Sequence, residues 1–363
     1  MGDELATIVD GALDAHSVRG KRVAVALSGG LDSVVLLNLL HERCTVRELS
    51  LSAIHVNHQL SSHADEWEHF CRALCERYGV GFIVRRVQVT PDGSGIEAAA
   101  RQLRYRAFAS VDADFVALGH HLDDQVETFL LQLLRGAGPK GLAAMPVVRQ
   151  QESGVDDKVV SPLILRPLLE LRRSRIEAYA TSKGLEWVDD DSNADSRFDR
   201  NYLRNELLRP LEARFPGYRE TLARAARNLA DHALLAEELA RIDAQSLDRK
   251  TVSAERLRQL SDARALNLLR QLFSELFELQ KRLFSVGTFR YRKRARHFIF
   301  LIRTAIYFPF TELRCQRARL VFWRRHIIRR ELRRLRRDRF SVCRKCFLYF
   351  RRAHFRQFLS RTH

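Results

Sequence analysis

Two stretches of the chain combine residue types that could do chemistry. The first is Ser28-Gly29-Gly30-Leu31-Asp32-Ser33, which follows the apolar run 22–27 and opens an apolar helical stretch at 33–40. Glycines at 29 and 30 permit φ > 0 and a close backbone approach. The N–H groups of such a turn, backed by a helix dipole, cradle an anion. The hydroxyls of Ser28 and Ser33 add donors. Asp32 is the odd member, because a carboxylate in a phosphate cradle repels the ligand unless a cation stands between them, which implies Mg²⁺. The same six residues also suit an ordinary strand-to-helix turn capped by Asp and Ser. The loop has no lysine for a Walker A pattern, and Ser33 stands where a dinucleotide fingerprint needs its third glycine.

The second stretch is Gly119-His120-His121-Leu122-Asp123-Asp124-Gln125-Val126-Glu127-Thr128. On a helix starting near Leu122, Asp123 and Glu127 are four apart and Asp124 and Glu127 three apart, so they share a face. Two aspartates also suit any first helical turn. Further on, Arg200 and Arg204 are four apart, with Asn201 between them.

The elements that must position these groups alternate in type. Strands are expected at 22–27, 50–56, 81–87, 114–118 and 161–165. Helices are expected at 33–40, 64–78, 96–110, 122–134 and about 171–183, with an exposed loop at 150–158. This alternation predicts βαβ units and a parallel sheet covered by helices on both faces. Ligands of such sheets bind at the carboxyl ends of the strands, where both chemical stretches lie. Helical spacing takes over from about 200, with a long helix at 219–243 and helix continuing over 254–279. The expected division is a catalytic domain 1–217, a helical domain 218–280 and a basic segment 281–363.

The hexapeptide at 28–33 resembles the phosphate loop of the PP-loop ATP pyrophosphatases. The stretch GHHLDDQVETFLLQLLRGAGPKGLAAM resembles tRNA(Ile)-lysidine synthetases. So do AIHVNHQL (53–60), ARQLRYRAF (100–108), RPLLELRRSRIEAYA (166–180) and WVDDDSNADSRFDRNYLRNELLRPLEARFPG (187–217). The resemblance runs from about residue 20 to 245. It implies a Rossmann-like α/β fold followed by an all-helical domain. It also implies a reaction: ATP adenylates the C2 carbonyl oxygen of the wobble cytidine in an isoleucine tRNA with a CAU anticodon, and pyrophosphate leaves. The ε-amine of free L-lysine then attacks C2, and AMP leaves.

The resemblance implies roles as well. Ser28, Gly29, Gly30, Leu31 and Ser33 would bind ATP phosphates, with Asp32 on Mg²⁺. Ala53, His55 and Val56 would place backbone groups against adenine. Asp123, Asp124 and Glu127 would hold the lysine ammonium and take its proton, and His120 and His121 would stabilise the adenylated base. Arg101 and Arg104 would take the cytidine phosphate or the α-phosphate. Arg200, Asn201 and Arg204 would complete the site and meet the tRNA. Trp187 suits either base stacking or the core.

Composition narrows the classes. The formal charge is +18, but residues 281–363 hold 26 basic and three acidic residues, leaving the first 280 at −5. The anionic-partner signal therefore belongs to the C-terminal segment alone. No run of about 18 apolar residues exists, which excludes a membrane-spanning helix. The first 20 residues carry Asp3, Glu4, Asp10 and Asp14 and no apolar core, which favours a cytoplasmic chain over a secreted one. A homodimer is a further expectation. Cys71 and Cys75 lie one helical turn apart and read as structural. No Cys-x-x-Cys precedes residue 343, which weighs against tRNA thiolation. The alternatives are another adenylating PP-loop tRNA-modifying enzyme and a basic RNA-binding protein with an inactive enzyme fold.

Residues 281–363 contain 12 of the 21 Phe and a single Gly. One reading is an RNA-binding arm, with Arg on phosphates and aromatics stacking on bases. The abrupt break in charge and glycine content favours another: a reading-frame shift near 272–285, with out-of-frame translation beyond. Family-like sequence should then resume in one of the other two frames of the coding DNA, and its absence from both would refute the shift.

Overall fold

The computed structural model describes residues 2–90, 95–151, 161–189, 199–245 and 254–285. The chain divides into two units, Met1–Gly287 and Thr288–His363, and the second lies outside the described residues. The arm and frameshift readings of the C-terminal segment therefore fall almost wholly outside them, as does most of the expected loop at 150–158.

In chain order the elements are α1 (Gly2–Ala15), β1 (Arg22–Ala26), α2 (Leu31–His41), α3 (Cys44–Arg47), β2 (Ser50–Asn57), α4 (Ala64–Tyr78) and β3 (Gly81–Arg86). Then come α5 (Ile96–Ala109), β4 (Phe115–Ala117), α6 (Leu122–Leu134), α7 (Pro139–Leu142), β5 (Val148–Arg149), β6 (Leu163–Leu165) and α8 (Arg173–Ser182). The remaining elements are helical: α9 (Asp199–Tyr202), a π-turn (Leu203–Leu207), α10 (Leu208–Arg214), α11 (Tyr218–Gln245), α12 (Ala254–Gln259) and α13 (Asp262–Ser285).

The strand order is β3-β2-β1-β4-β6-β5. All neighbours are parallel except β5, which pairs antiparallel with β6. The order reverses between β1 and β4, and Val25 is level with both Ala53 of β2 and Ala117 of β4. The crevice of an open α/β sheet forms at such a reversal. β1 and β4 are short runs of small and branched apolar residues because both of their faces are covered.

Helix α2 is apolar all round: every residue from Val34 to Leu40 is buried. It lies against the sheet and α8, which is how a wholly apolar helix satisfies itself. Asn38, the polar residue within that run, donates to the Tyr78 hydroxyl at 2.9 Å and accepts from the Tyr179 hydroxyl at 2.7 Å. Helix α1 adds Leu5, Val9 and Leu13, all fully buried and four residues apart. The sequence reading left this helix out. It also missed the two-residue β5, and it ran α12 and α13 together. The break between those two is at Ser261, whose hydroxyl accepts from the Arg264 N–H at 3.4 Å. Trp187 packs against the main core, so the core reading holds for it. No helix among the described residues is long and apolar enough to cross a membrane.

The end of β4 meets the start of α2 backbone to backbone. A Cβ on Gly119 would lie 2.9 Å from both the carbonyl carbon and oxygen of Asp32. Neither neighbour is a flexible side chain, so the crevice closes only around glycine. Gly119→Ala should lower stability by about 1–3 kcal/mol, as overpacking does, and weaken nucleotide binding more than Gly138→Ala, whose Cβ meets nothing within 4 Å. Thermal melts and nucleotide titrations of both variants check this.

Candidate active site

The phosphate-loop candidate joins β1 to α2. Gly29 has φ +92°, and a Cβ there would lie 2.8 Å from Val188 Cγ2, so the turn needs glycine on two counts. Val188 also donates its N–H to the Gly29 carbonyl at 3.0 Å, tying the turn to the segment beyond α8. The Ser33 hydroxyl donates to the Gly30 carbonyl at 2.8 Å and accepts from the Ser28 N–H at 3.2 Å. The Ser28 hydroxyl lies 3.1 Å from that of Ser33 and accepts from the Gly30 N–H at 3.3 Å. These bonds close the turn and place Gly30, with φ −73°, at the N-cap of an 11-residue helix. Leu31 is buried and anchors the first turn.

Asp32 sits in that first turn. Its Oδ1 is buried and has no hydrogen-bond partner. Burial pushes its pKa up, opposed by His121, Arg173 and Arg204. A sealed, unpaired carboxylate oxygen beside an anion cradle is the donor a hard divalent cation takes. The residues present thus fit Mg²⁺ at Asp32.

At the end of β2, Ala53 is sealed in the core and Val56 is half-buried. The buried His55 ring donates from Nδ1 to the Leu27 carbonyl at 2.8 Å, and Leu27 in turn donates its N–H to Ile54 O at 2.9 Å. Burial lowers the His55 pKa. The side chain of His55 therefore braces the end of β1, which leaves backbone as what this strand end can offer a ligand. Asn57, at the last position of β2, donates to the buried Glu68, which Arg86 grips with two nitrogens at 3.0 and 2.9 Å. The Arg86 bond, with help from Asn57, lowers the Glu68 pKa to about 2 against the opposing effect of burial.

The second cluster follows β4. His121 is 2% exposed, and its Nε2 lies 3.7 Å from Asp32 and 3.5 Å from Asp124, with Nδ1 3.7 Å from Asp123. The Asp124 carboxylate accepts the His121 backbone N–H at 3.1 Å, capping α6 from its third residue. Although burial opposes it, His121, which also gives its backbone N–H, and Arg200 hold Asp124 below the usual carboxylate range. Asp123 accepts the Arg173 backbone N–H at 2.9 Å and the Arg219 guanidinium.

Glu127 is fully buried. Arg204 meets it with two nitrogens at 2.7 and 3.1 Å, and Arg200 Nε lies 3.2 Å away. Burial raises the Glu127 carboxyl while Arg204 pulls it down, and the net direction is up. Arg200 also donates to the Thr128 hydroxyl at 3.0 Å. Asn201 is half-buried beside it on α9. Loop, histidines, carboxylates and the arginine pair thus converge at the ends of β1 and β4.

Arg101 and Arg104 lie on the exposed side of α5. Arg101 stacks over the Tyr105 ring at 5.1 Å, and Arg149 lies over the same ring at 5.4 Å. Arg104 donates to His58 Nε2 at 3.3 Å. Burial first, and Arg104 second, lower the His58 pKa to about 4. Arg101 is near enough to the cluster to act on His120. Two residues that the sequence reading passed over belong to the site: Arg219, on Asp123, and Arg166, on His120. An arginine in a helix or after a strand carries no sequence mark of burial, so nothing in the pattern singled them out. A charged cavity of about 340 Å³ opens beside Asp123, Glu127, Arg173, Arg204 and Arg219, a volume within the range of small-molecule sites. Cys71 and Cys75 are buried thiols, raised by burial, and Cys71 lies under Gly29.

The family model described as the PP-loop domain matches residues 5–211. A tRNA(Ile)-lysidine synthase of Nitrosomonas europaea is 43% identical over 316 residues, covering 84% of this chain and 65% of that protein. The enzymes of the same name from Chromobacterium violaceum and Pseudomonas aeruginosa are 49% and 44% identical, covering 61% and 70% of this chain and 50% and 59% of their own lengths. The chain thus spans between half and two thirds of these curated relatives. A match covering 84% of 363 residues cannot fit within the first 280, so the first similarity runs into the Arg/Phe-rich segment. Among solved structures, a U34-tRNA thiolase from Methanococcus maripaludis matches with a TM-score of 0.52 at 22% identity, covering 63% of this chain and 80% of that one, a likeness of fold.

Truncating Arg204 leaves Glu127 with Arg200 alone in a buried setting. Arg204→Ala should cost about 3 kcal/mol, as breaking a buried pair does. Adding Glu127→Gln should recover much of that loss in denaturant melts. Glu68 supplies a separate acid signature. Its folded pKa lies below its ordinary value of 4.5, so its contribution is present above about pH 4.5 and lost as pH falls towards about 2. Glu68→Gln should flatten that part of the stability profile, measured by denaturant midpoints across that range.

Proposed function

The chain belongs to the PP-loop family of ATP-binding proteins, and from that membership we propose that it ligates free L-lysine to C2 of the wobble cytidine in an isoleucine tRNA with a CAU anticodon. The observation that carries this reading is the meeting, at one strand-order reversal, of a phosphate loop with the His120–Glu127 carboxylate cluster. The relatives named lysidine synthase supply the substrate class. In this reading residues 1–217 form the catalytic domain and 218–280 a helical domain that supports it, in a cytoplasmic enzyme that uses ATP and Mg²⁺.

The chemistry follows from the groups present. N–H groups of residues 28–33 and the Ser28 and Ser33 hydroxyls hold the phosphates of ATP. Gripping the pyrophosphate end stabilises the leaving group when the cytidine O2 attacks the α-phosphorus. A magnesium ion at Asp32 supplies charge neutralisation on those phosphates. Arg101 and Arg104, on the exposed side of α5, would meet phosphate groups of the substrates. The second half-reaction needs a neutral amine, because free lysine titrates near about 10.4. Asp124, held ionised by its neighbours, is suited to bind the ammonium, and the carboxylates of Asp123, Asp124 and Glu127 would together relay its proton away. Attack at C2 then expels AMP, and the adenylated oxygen leaves with it.

The test incubates the full chain with ATP, Mg²⁺, radiolabelled lysine and an isoleucine tRNA transcript bearing a CAU anticodon. Lysine should enter the tRNA, and Asp32→Ala should abolish incorporation while leaving the fold intact by circular dichroism. Pyrophosphate release that depends on tRNA without lysine entering would assign a different adenylating reaction. Tight tRNA binding with neither product would assign an RNA-binding protein with an inactive enzyme fold.

A further inference from the structure

Arg166 is 1% exposed, the largest side chain sealed away among the described residues. A buried guanidinium is costly unless a carboxylate pairs with it. Among the described residues no carboxylate lies within ion-pair distance of Arg166, whereas Arg200, Arg204 and Arg219 at this end of the sheet each hold one. Its partners are neutral. Nε donates to His120 Nδ1 at 3.1 Å, and a terminal nitrogen donates to the Pro146 carbonyl at 2.7 Å. Tyr105 is a third neutral partner. Gln125 of α6 pins the same segment, donating to Met145 O at 2.8 Å and accepting the Met145 N–H at 2.9 Å. The Arg166 backbone N–H is held by Val147 O at 2.9 Å. Arg166 stands one residue beyond β6, which pairs with β4, and His120 stands three beyond β4. The two strands thus deliver the guanidinium to the imidazole.

A guanidinium has five donors, no acceptor, and does not lose a proton in a protein. A ring nitrogen that receives its N–H must therefore be the unprotonated one. We propose that Arg166 is a positioning residue that fixes His120 in the neutral tautomer protonated at Nε2, so that His120 meets the substrate as a hydrogen-bond donor. This rests on the proposed reaction, in which the donor would face oxygen that gains negative charge as cytidine O2 is adenylated or AMP leaves. Neutral imidazoles donate in this way where an imidazolium is disfavoured. Among the described residues the hydrogen bond given to the His120 ring is that of Arg166 on Nδ1. The division of labour is then clear: the carboxylates handle the proton of the amine, and His120 stabilises charge without moving a proton. Burial lowers the His120 pKa to about 3; Asp124 opposes this and Arg166, Arg200 and Arg101 reinforce it.

The test is a ¹H–¹⁵N correlation spectrum of the full chain labelled at histidine, with His120 assigned from the signal lost in His120→Gln. Wild-type His120 should show Nδ1 as an acceptor-type nitrogen and Nε2 as a protonated one, unchanged from pH 6 to 8. Arg166→Met should release that preference, giving mixed tautomers and a titration near the ordinary histidine value, while Arg166→Lys, which keeps a donor, should restore part of it. In lysine incorporation Arg166→Met should lower kcat roughly 10²-fold, the scale of losing one oxyanion donor, with little change in the KM for ATP. A wild-type ring protonated at Nδ1, or charged at pH 7, would overturn the proposal whatever the variants do. An unchanged tautomer in Arg166→Met would overturn it equally. The spectrum needs no tRNA, so absence of lysine transfer by the wild type would count against the proposed reaction and leave the tautomer assignment standing.

Discussion

Three carboxylates, Asp32, Asp123 and Asp124, crowd the space around one buried histidine, His121, and a fourth, Glu127, is sealed one turn further along α6. So much negative charge cannot stay ionised away from water without counter-charge. The balance comes from Arg200 and Arg204 on Glu127 and from Arg219 on Asp123. All three lie in the helical region after residue 199, so the α/β sheet cannot form its site electrostatically alone. Helix α11, which begins at Tyr218 and carries Arg219, is thereby part of the site rather than an appendage. Asp32 is the exception, with one oxygen left bare. It is also the carboxylate nearest the phosphate loop, where a cation would supply the missing charge.

The same economy shapes the scaffold. A reversal of strand order puts the ends of β1 and β4 side by side, and Gly119 lets one backbone rest on the other. The short β1 and β4 stay in register because α2, apolar on every face, fills the space against one side of the sheet. Small residues at the turn, Gly29 above all, let Val188 close over it. Rigid strands end in mobile chemistry only where loops begin, which is the usual way α/β folds place catalytic groups.

Much of this was legible in the sequence. The strands β1–β4 and the helices between them follow from apolar runs alternating with helical spacing, and both chemical stretches sit where that alternation places strand ends. The spacing of Asp123, Asp124 and Glu127 was enough to predict a shared face. Three things were not legible. Helix α1 has its Leu5, Val9 and Leu13 at helical spacing, but a short stripe in a polar context does not reveal that it is fully buried. Strand β5 has two residues, too few for a period, and exists only because β6 offers an edge. Arg166 and Arg219 drew no role from the sequence because charge patterning is blind to which strand ends and helix starts become neighbours. His55 was legible as a strand-end residue, yet its ring turned out to brace Leu27.

The central claim is that the phosphate loop and the carboxylate cluster form one site that cleaves ATP between the α and β phosphates. Exchange of labelled pyrophosphate into ATP, measured with the full chain and without lysine, tests it most directly. The account predicts exchange that requires the CAU-anticodon isoleucine tRNA and disappears in Asp32→Ala. Release of ADP and inorganic phosphate, or exchange that needs no tRNA, would contradict it.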